Sequence, residues 1–314
     1  MRTVIRLTQR RPVRADNPGM ATQTVEIARL EHAQVLRLAD SLGLLGTEGQ
    51  SFGRLLAALC DPDAGICEVT ELIEQQALLS AQVLRVANSA FYRHSQEVTT
   101  VRGAIMLMGL DAVRALATAI SIDRTLTSRM KGVLPDLPAM LVHSLATAVA
   151  AQTLARLTAP ALLAEAFVAG LLHNTGVLIQ GCLDPAGVKM LVRSCATEPQ
   201  VPIRSLEQQH VALCHEDCAA ALFEAWQLPQ ALITAAAFHH RPECAPAEYR
   251  KLCALTSLGS YLAVSNGVTF SLETGCAAPS SEALSILGLD EESLPAQVAP
   301  FLARFKAIRE ALSD

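Results

Sequence analysis

Two stretches of the chain, Leu137 to Ala155 and Ala166 to Leu183, contain no Asp, Glu, Lys or Arg. Helices that are apolar all round have to be buried, in a large protein core or in a bilayer. The first stretch holds Pro138, His143, Ser144 and Gln152, and the second holds His173, Asn174 and Gln180. A bilayer penalises such groups. Two core helices, with no membrane insertion, are the expectation. A core of that kind needs ample apolar material. The chain has 314 residues, of which 51% are hydrophobic and 18% charged, enough for one extended domain or two. Aromatics make up only 4%, while Ala and Leu, both strong helix formers, abound. The composition points to an all-α protein.

Helical periodicity recurs along most of the chain. It starts with Val25, Ala28, Val35, Leu38 and Leu42, and Gly43 and Gly46 then stop that helix. Further helices are expected over 66–92, and on both sides of Gly109. Pro135 and Pro138 mark the best division between two helical halves. Beyond it the pattern predicts helices at 139–157, 162–181, 186–196, 203–210, 215–227, 230–240 and 247–265, with an amphipathic tail over 282–314. Residues 1–21 are Arg-rich, carry Pro12 and Pro18 and lack periodicity, so they read as a flexible arm. Met20 is an alternative start to Met1.

The net charge is −5, so the molecule as a whole gains nothing from phosphate attraction. Basic residues are nevertheless concentrated: residues 1–19 hold five arginines against one aspartate, and 85–131 hold seven Lys or Arg against three acids. The ordinary reading is a solvated surface, and nucleic-acid binding is the lesser alternative. Nine cysteines, an odd number with no CxxC pair, fit reduced thiols and a cytoplasmic location. No apolar signal-peptide core follows the N-terminal charges. Cys214 and Cys218 in "CHEDC" have the spacing of half a zinc site, yet no second pair follows; structural thiols are the better reading.

His143, His173, His215 and the pair His239-His240 fall on different expected helices of the second half, separated by 30, 42 and 24 residues up to the final pair. One histidine in an apolar helix is ordinarily a hydrogen-bonded core residue. Five in this order resemble the HD superfamily of metal-dependent phosphohydrolases, and in particular its HD-GYP subclass. His143 in "LVHSLA" resembles the first His, and His173-Asn174 the His-Asp pair. His215 resembles the extra His, and His239-His240 the His-His pair. "LGSYLA", residues 258–263, resembles the final motif, with Ser260 where that motif carries Asp. Both metal-binding aspartates are thus replaced by neutral side chains. Hard divalent ions favour anionic oxygen ligands, so the resemblance implies no metal, no cofactor and no catalytic residue.

A more specific resemblance covers roughly residues 25–265. "LSAQVLRVANSAFY" (79–92), "VRGAIMLMGLDAVRAL" (101–116), "EAFVAGLLHNTGVLI" (165–179) and "HEDCAAALFEAWQLPQALITAAAFHHRP" (215–242) resemble the blocks of HDOD proteins, in order. In these the HD fold is an output domain of bacterial signalling proteins. The resemblance implies two packed helical subdomains, the second an HD-like bundle. The expected division is an arm (1–21), an N-terminal helical subdomain (22–134), an HD-like subdomain (135–265) and a C-terminal extension (266–314). Asn88, Ser89 and Phe91 are motif positions. Asn88 either bonds backbone where its helix ends or makes a contact between halves or with a partner.

The implied function is a non-catalytic regulatory module. It would bind a signalling protein, such as a sensor kinase, response regulator or cyclic-nucleotide enzyme, or a small ligand in the relic pocket. The amphipathic tail after 265 is expected to be a partner-binding helix or one that forms a homodimer. A metal-dependent phosphohydrolase acting on a cyclic dinucleotide, and a nucleic-acid-binding regulator, are the alternatives.

Overall fold

The computed structural model describes residues 33–40, 54–88, 98–121, 136–273 and 278–313, a few single positions in 54–121 aside. The arm at 1–21, Met20, Ser89 and Phe91 lie outside the described residues. No strand occurs among the described residues, and one isolated bridge joins Phe270 to Glu273. The fold is all-α.

The helices, in chain order, are α1 (Ile66–Glu74), α2 (Ala77–Ala87), α3 (Val101–Met108), α4 (Leu137–Thr158), α5 (Leu163–Leu172), α6 (Thr175–Leu183) and α7 (Pro185–Thr197). They continue as α8 (Ile203–His210), α9 (His215–Ala225), α10 (Gln230–Phe238), α11 (Arg250–Ser265), α12 (Ser281–Leu287) and α13 (Pro295–Ser313). Local chemistry sets several ends. Asp184 accepts from the Gly187 amide and Pro185 opens α7. Gly288 closes α12 in the left-handed conformation. Asn88 closes α2: its amide nitrogen donates to the Leu84 and Val98 carbonyls, and its oxygen accepts from the Val98 amide. Of the two readings open for Asn88, the structure shows the backbone one.

Apolar side chains gather in two clusters. The smaller is built by residues 55–120, including Val69, Ile73, Val83 and Ile105. The larger surrounds α4, whose interior-facing residues run from Leu137 to Ala155. α4 packs most extensively on α11 and α5, and also on α13. Val35 and Ala39 join this larger cluster, as do Phe301 and Phe305 of α13. The helical segment 33–40 therefore packs with the second half, across the boundary expected at 134/135. The tail beyond 265 is integrated in the core, not appended to it. The helix α4 and the run Pro160–Leu183 are each long and apolar enough to cross a membrane, and 78% of each apolar window is buried inside the protein.

Close helix contacts bring the second half's polar residues together. A Cβ on Gly176 would lie 1.9 Å from the His215 carbonyl oxygen, so α6 and α9 touch backbone to backbone. One on Gly259 would lie 2.8 Å from the Thr147 carbonyl oxygen, which seats α11 against α4. Only glycine permits either approach.

Candidate functional site

His143, on α4, has its imidazole buried. Nδ1–H donates to the Val268 carbonyl at 2.9 Å, and Nε2 lies 2.9 Å from Glu273 Oε2. His173 follows α5, which stops where the sequence pattern expects one helix over 162–181. Its Nδ1–H donates to the Gly170 carbonyl at 2.6 Å, three residues back. A continuing helix would give that carbonyl to the amide of residue 174, so the ring helps end α5 and start α6 at His173-Asn174. His239 repeats the device: α10 ends at Phe238, and His239 Nδ1–H donates to the Ala236 carbonyl at 2.9 Å. His239 and His240 stand beyond the helix end, a correction to the helix expected over 230–240. His215 opens α9, where its amide and its Nδ1–H both donate to Glu207 Oε1, at 3.0 and 2.7 Å.

The structure gathers all five imidazoles. Ring centroids are 5.5 Å apart for His143 and His173, 5.1 Å for His173 and His239, 5.2 Å for His215 and His239, and 4.1 Å for His239 and His240. His215 Nε2 meets His239 Nε2 at 3.2 Å. Asn174 and Ser260 are there too, and both donate to one carboxylate: Asn174 Nδ2 to Glu273 Oε1 at 3.0 Å and Ser260 Oγ to Glu273 Oε2 at 2.8 Å.

Glu273 is the residue that sequence reasoning missed. It lies beyond the last motif, in a stretch read as extension. The chain after α11 folds back so that the Glu273 amide donates to the Phe270 carbonyl at 3.0 Å. Phe270 packs on the His143 ring at 5.4 Å. Asp136, at the start of α4, accepts from the amide and hydroxyl of Ser271. The turn is thus clamped to the helix that carries His143. The alternation of apolar Phe270 and Leu272 with polar neighbours, ending on a lone acid, was the available signal. Glu207 was missed as well. Its buried carboxylate holds His215 and accepts from Gln180 Nε2 at 2.8 Å. Glu216, also buried, pairs with Arg204 and with Arg241.

Protonation divides the rings. Burial pulls His173 down to about 3, opposed by Glu273 and reinforced by His143. Burial likewise holds His240 at about 4 and His239 well below the ordinary value, each aided by neighbouring imidazoles. Burial also opposes the charge on His143 and His215, yet Glu273 and Glu207 respectively outweigh it and raise both. Glu273 is correspondingly held well below the usual carboxylate range, against its burial, by His143 first.

The donors fall into two groups: His143, His173 and Glu273, and His215, His239 and His240. In each group the ligand atoms lie within 4.8 Å of one another. The expectation of no metal rested on the two neutral replacements, Asn174 and Ser260. Both of these neutral side chains donate to a carboxylate outside the motifs, Glu273, and the set His143, His173 and Glu273 fits a divalent ion. Cys214 and Cys218 belong to neither group; burial raises the Cys214 thiol to about 12. A cavity of about 590 Å³ borders the pocket, lined by His239, His240, Ser260, Glu273, Arg204 and Tyr261 among others.

Comparison with known proteins agrees with this architecture. Residues 45–242 match the HDOD domain. A protein of Treponema pallidum (strain Nichols), itself uncharacterized, is 26% identical over 239 residues, 75% of this chain and 44% of that one. The chain therefore spans less than half the length of that relative. A candidate signal transduction protein from Marinobacter aquaeolei VT8 is 25% identical with a TM-score of 0.73, over 92% of this chain and 66% of that one. A candidate phosphohydrolase from Shewanella amazonensis SB2B shares the fold, with a TM-score of 0.67 at 23% identity over 89% of this chain and 98% of the other. The HDOD match covers most of the chain, and the two-cluster helical fold agrees with it: this protein belongs to the HDOD family.

Proposed function

We propose that the protein is a regulatory HDOD module that works by binding and does not hydrolyse phosphoesters. One observation carries this reading. Asn174 stands where the resemblance puts the metal-binding Asp, and its amide nitrogen donates to Glu273, so it offers no bridging carboxylate. Two ions activating one water between them need anionic oxygen shared by both. Here the only carboxylate among the inward-facing donors of the described residues is Glu273, and it belongs to one group alone.

The bordering cavity has the size of a small-ligand site. A ligand there would reach His240, Ser260 and Glu273, the residues that join the cavity to the imidazoles. The occupied or empty state would be read by a signalling partner such as a sensor kinase, a response regulator or a cyclic-nucleotide enzyme. Arg114 weakens the nucleic-acid alternative, because it is buried and donates to the Ala64 carbonyl, inside the smaller cluster.

A second reading, a metal-dependent phosphohydrolase, is favoured by the two three-donor groups standing side by side. The full chain loaded separately with manganese, iron and zinc decides between them. Turnover of bis(p-nitrophenyl) phosphate and of a cyclic dinucleotide should not exceed that of His173→Ala. Turnover that this substitution abolishes would establish the hydrolase.

A further inference from the structure

Four imidazoles of the pocket have their tautomers fixed from behind. The Nδ1 partners of His143, His173 and His239 are carbonyl oxygens, and that of His215 is a carboxylate. These oxygens can only accept, so each Nδ1 carries hydrogen and each Nε2 faces inward. Imidazoles that ligate metals are oriented in this way. His173 Nε2 is the telling atom. It is fully buried, and among the described residues it has no hydrogen-bond partner. A buried acceptor without a donor costs about 1–3 kcal/mol, unless a Lewis acid takes the lone pair.

The carboxylate opposite is held just as firmly. Asn174 and Ser260 donate to its two oxygens, and the Asp136–Ser271 clamp fixes the turn that carries it. His143 Nε2 stands 2.9 Å from Glu273 Oε2, and His173 Nε2 stands 3.8 Å from Glu273 Oε1. Ligand bonds of about 2.0–2.1 Å in tetrahedral geometry separate neighbouring donors by about 3.3 Å, between the two observed values.

We propose that His143, His173 and Glu273 form a binding site for one divalent transition metal ion of the zinc class. Glu273 supplies the anionic ligand that Asn174 and Ser260 cannot, and those two residues position it. Two imidazoles with one carboxylate suit zinc, cobalt or iron(II) over magnesium or calcium. The His215 group is not part of this site: it holds no carboxylate, and its Nε2 atom is already bonded to His239. The assignment does not depend on whether the protein hydrolyses anything.

The test is a cobalt(II) titration of the chelator-stripped full chain, followed by visible absorption, with zinc competition. One equivalent should give d–d bands that zinc abolishes. His173→Ala should remove them, and Glu273→Gln should weaken binding at least tenfold. His240→Ala should leave them unchanged. Thermal unfolding reports whether each variant folds, and Ser260→Ala, which frees one carboxylate oxygen, should weaken binding if Glu273→Gln does not fold. A wild-type chain without saturable bands, bands that survive His173→Ala, or bands lost with His240→Ala would overturn the site. Bound metal without phosphodiester turnover supports both proposals. Turnover by the loaded chain removes the non-hydrolytic reading alone, and absent bands remove the metal site alone.

Discussion

The two donor groups of the pocket use the same materials in opposite arrangements. Around His143 and His173 the carboxylate, Glu273, stands in front, among the inward-facing donors. Around His215, His239 and His240 the carboxylate, Glu207, stands behind, on Nδ1 of His215. A carboxylate in front can neutralise a cation that enters. One behind can only orient and charge its imidazole, whose Nε2 lies within hydrogen-bond distance of His239 Nε2, at 3.2 Å. The position of one carboxyl group, not the number of histidines, separates a cation site from a packed polar core.

Gly176 is the joint between the two groups, and the largest effect is expected there. A methyl group 1.9 Å from the His215 carbonyl must part α6 from α9. Gly176→Ala should cost more than about 3 kcal/mol or prevent folding, beyond ordinary overpacking. Chemical denaturation measures it, and a near-native midpoint would show that the halves are not held so tightly.

Next come the carboxylates. Glu273→Ala and Glu207→Ala each leave buried donors and a buried imidazole without a partner, at about 1–3 kcal/mol for each unsatisfied group. The comparison is sharpened by zinc: it should raise the melting temperature of Glu207→Ala and leave that of Glu273→Ala unmoved. Equal responses would erase the distinction.

Acid should act through the imidazoles held neutral. His173 stands at about 3 and His240 at about 4 in the folded protein, against about 6.5 unfolded. The unfolded chain therefore binds more protons as pH falls below about 6.5. Each ring removes stability with a slope of up to about 1.4 kcal/mol per pH unit, levelling near its folded value. His143 and His215, raised in the folded state, contribute stability below about 6.5 that fades as pH rises through their folded values. Metal-free protein followed by denaturation across this range should lose part of its acid sensitivity in His173→Gln. An unchanged slope would contradict the burial of a neutral ring there.

The smallest effect is expected at Cys214. Cys214→Ala should cost about 1 kcal/mol, as for a small buried side chain, and leave zinc binding intact. A loss of zinc would revive the "CHEDC" half-site.

Much of this was legible in the sequence, because helical periodicity is a local signal and the histidine order resembles that of a known family. The helix at 203–210 and the start of the one at 230 follow from periodicity, and the grouping of His143, His173, His215, His239, His240, Asn174 and Ser260 was implied by the family resemblance. The break at His173-Asn174 was not legible. Neither residue at the break is Gly or Pro, and it is made by a ring taking a backbone carbonyl. Glu273 and Glu207 were hidden for a different reason. A lone acid in a turn or a short helix has the look of a solvated charge until tertiary packing buries it. The expectation of a metal-free relic was drawn from Asn174 and Ser260 alone, with Glu273 not in view.

Zinc K-edge X-ray absorption of the loaded full chain tests the central claim most directly. The account predicts a shell of nitrogen and oxygen at about 2.0–2.1 Å, with the scattering of two imidazoles, which is lost in Glu273→Gln. A sulfur shell near about 2.3 Å, or a three-imidazole pattern indifferent to Glu273→Gln, would contradict it.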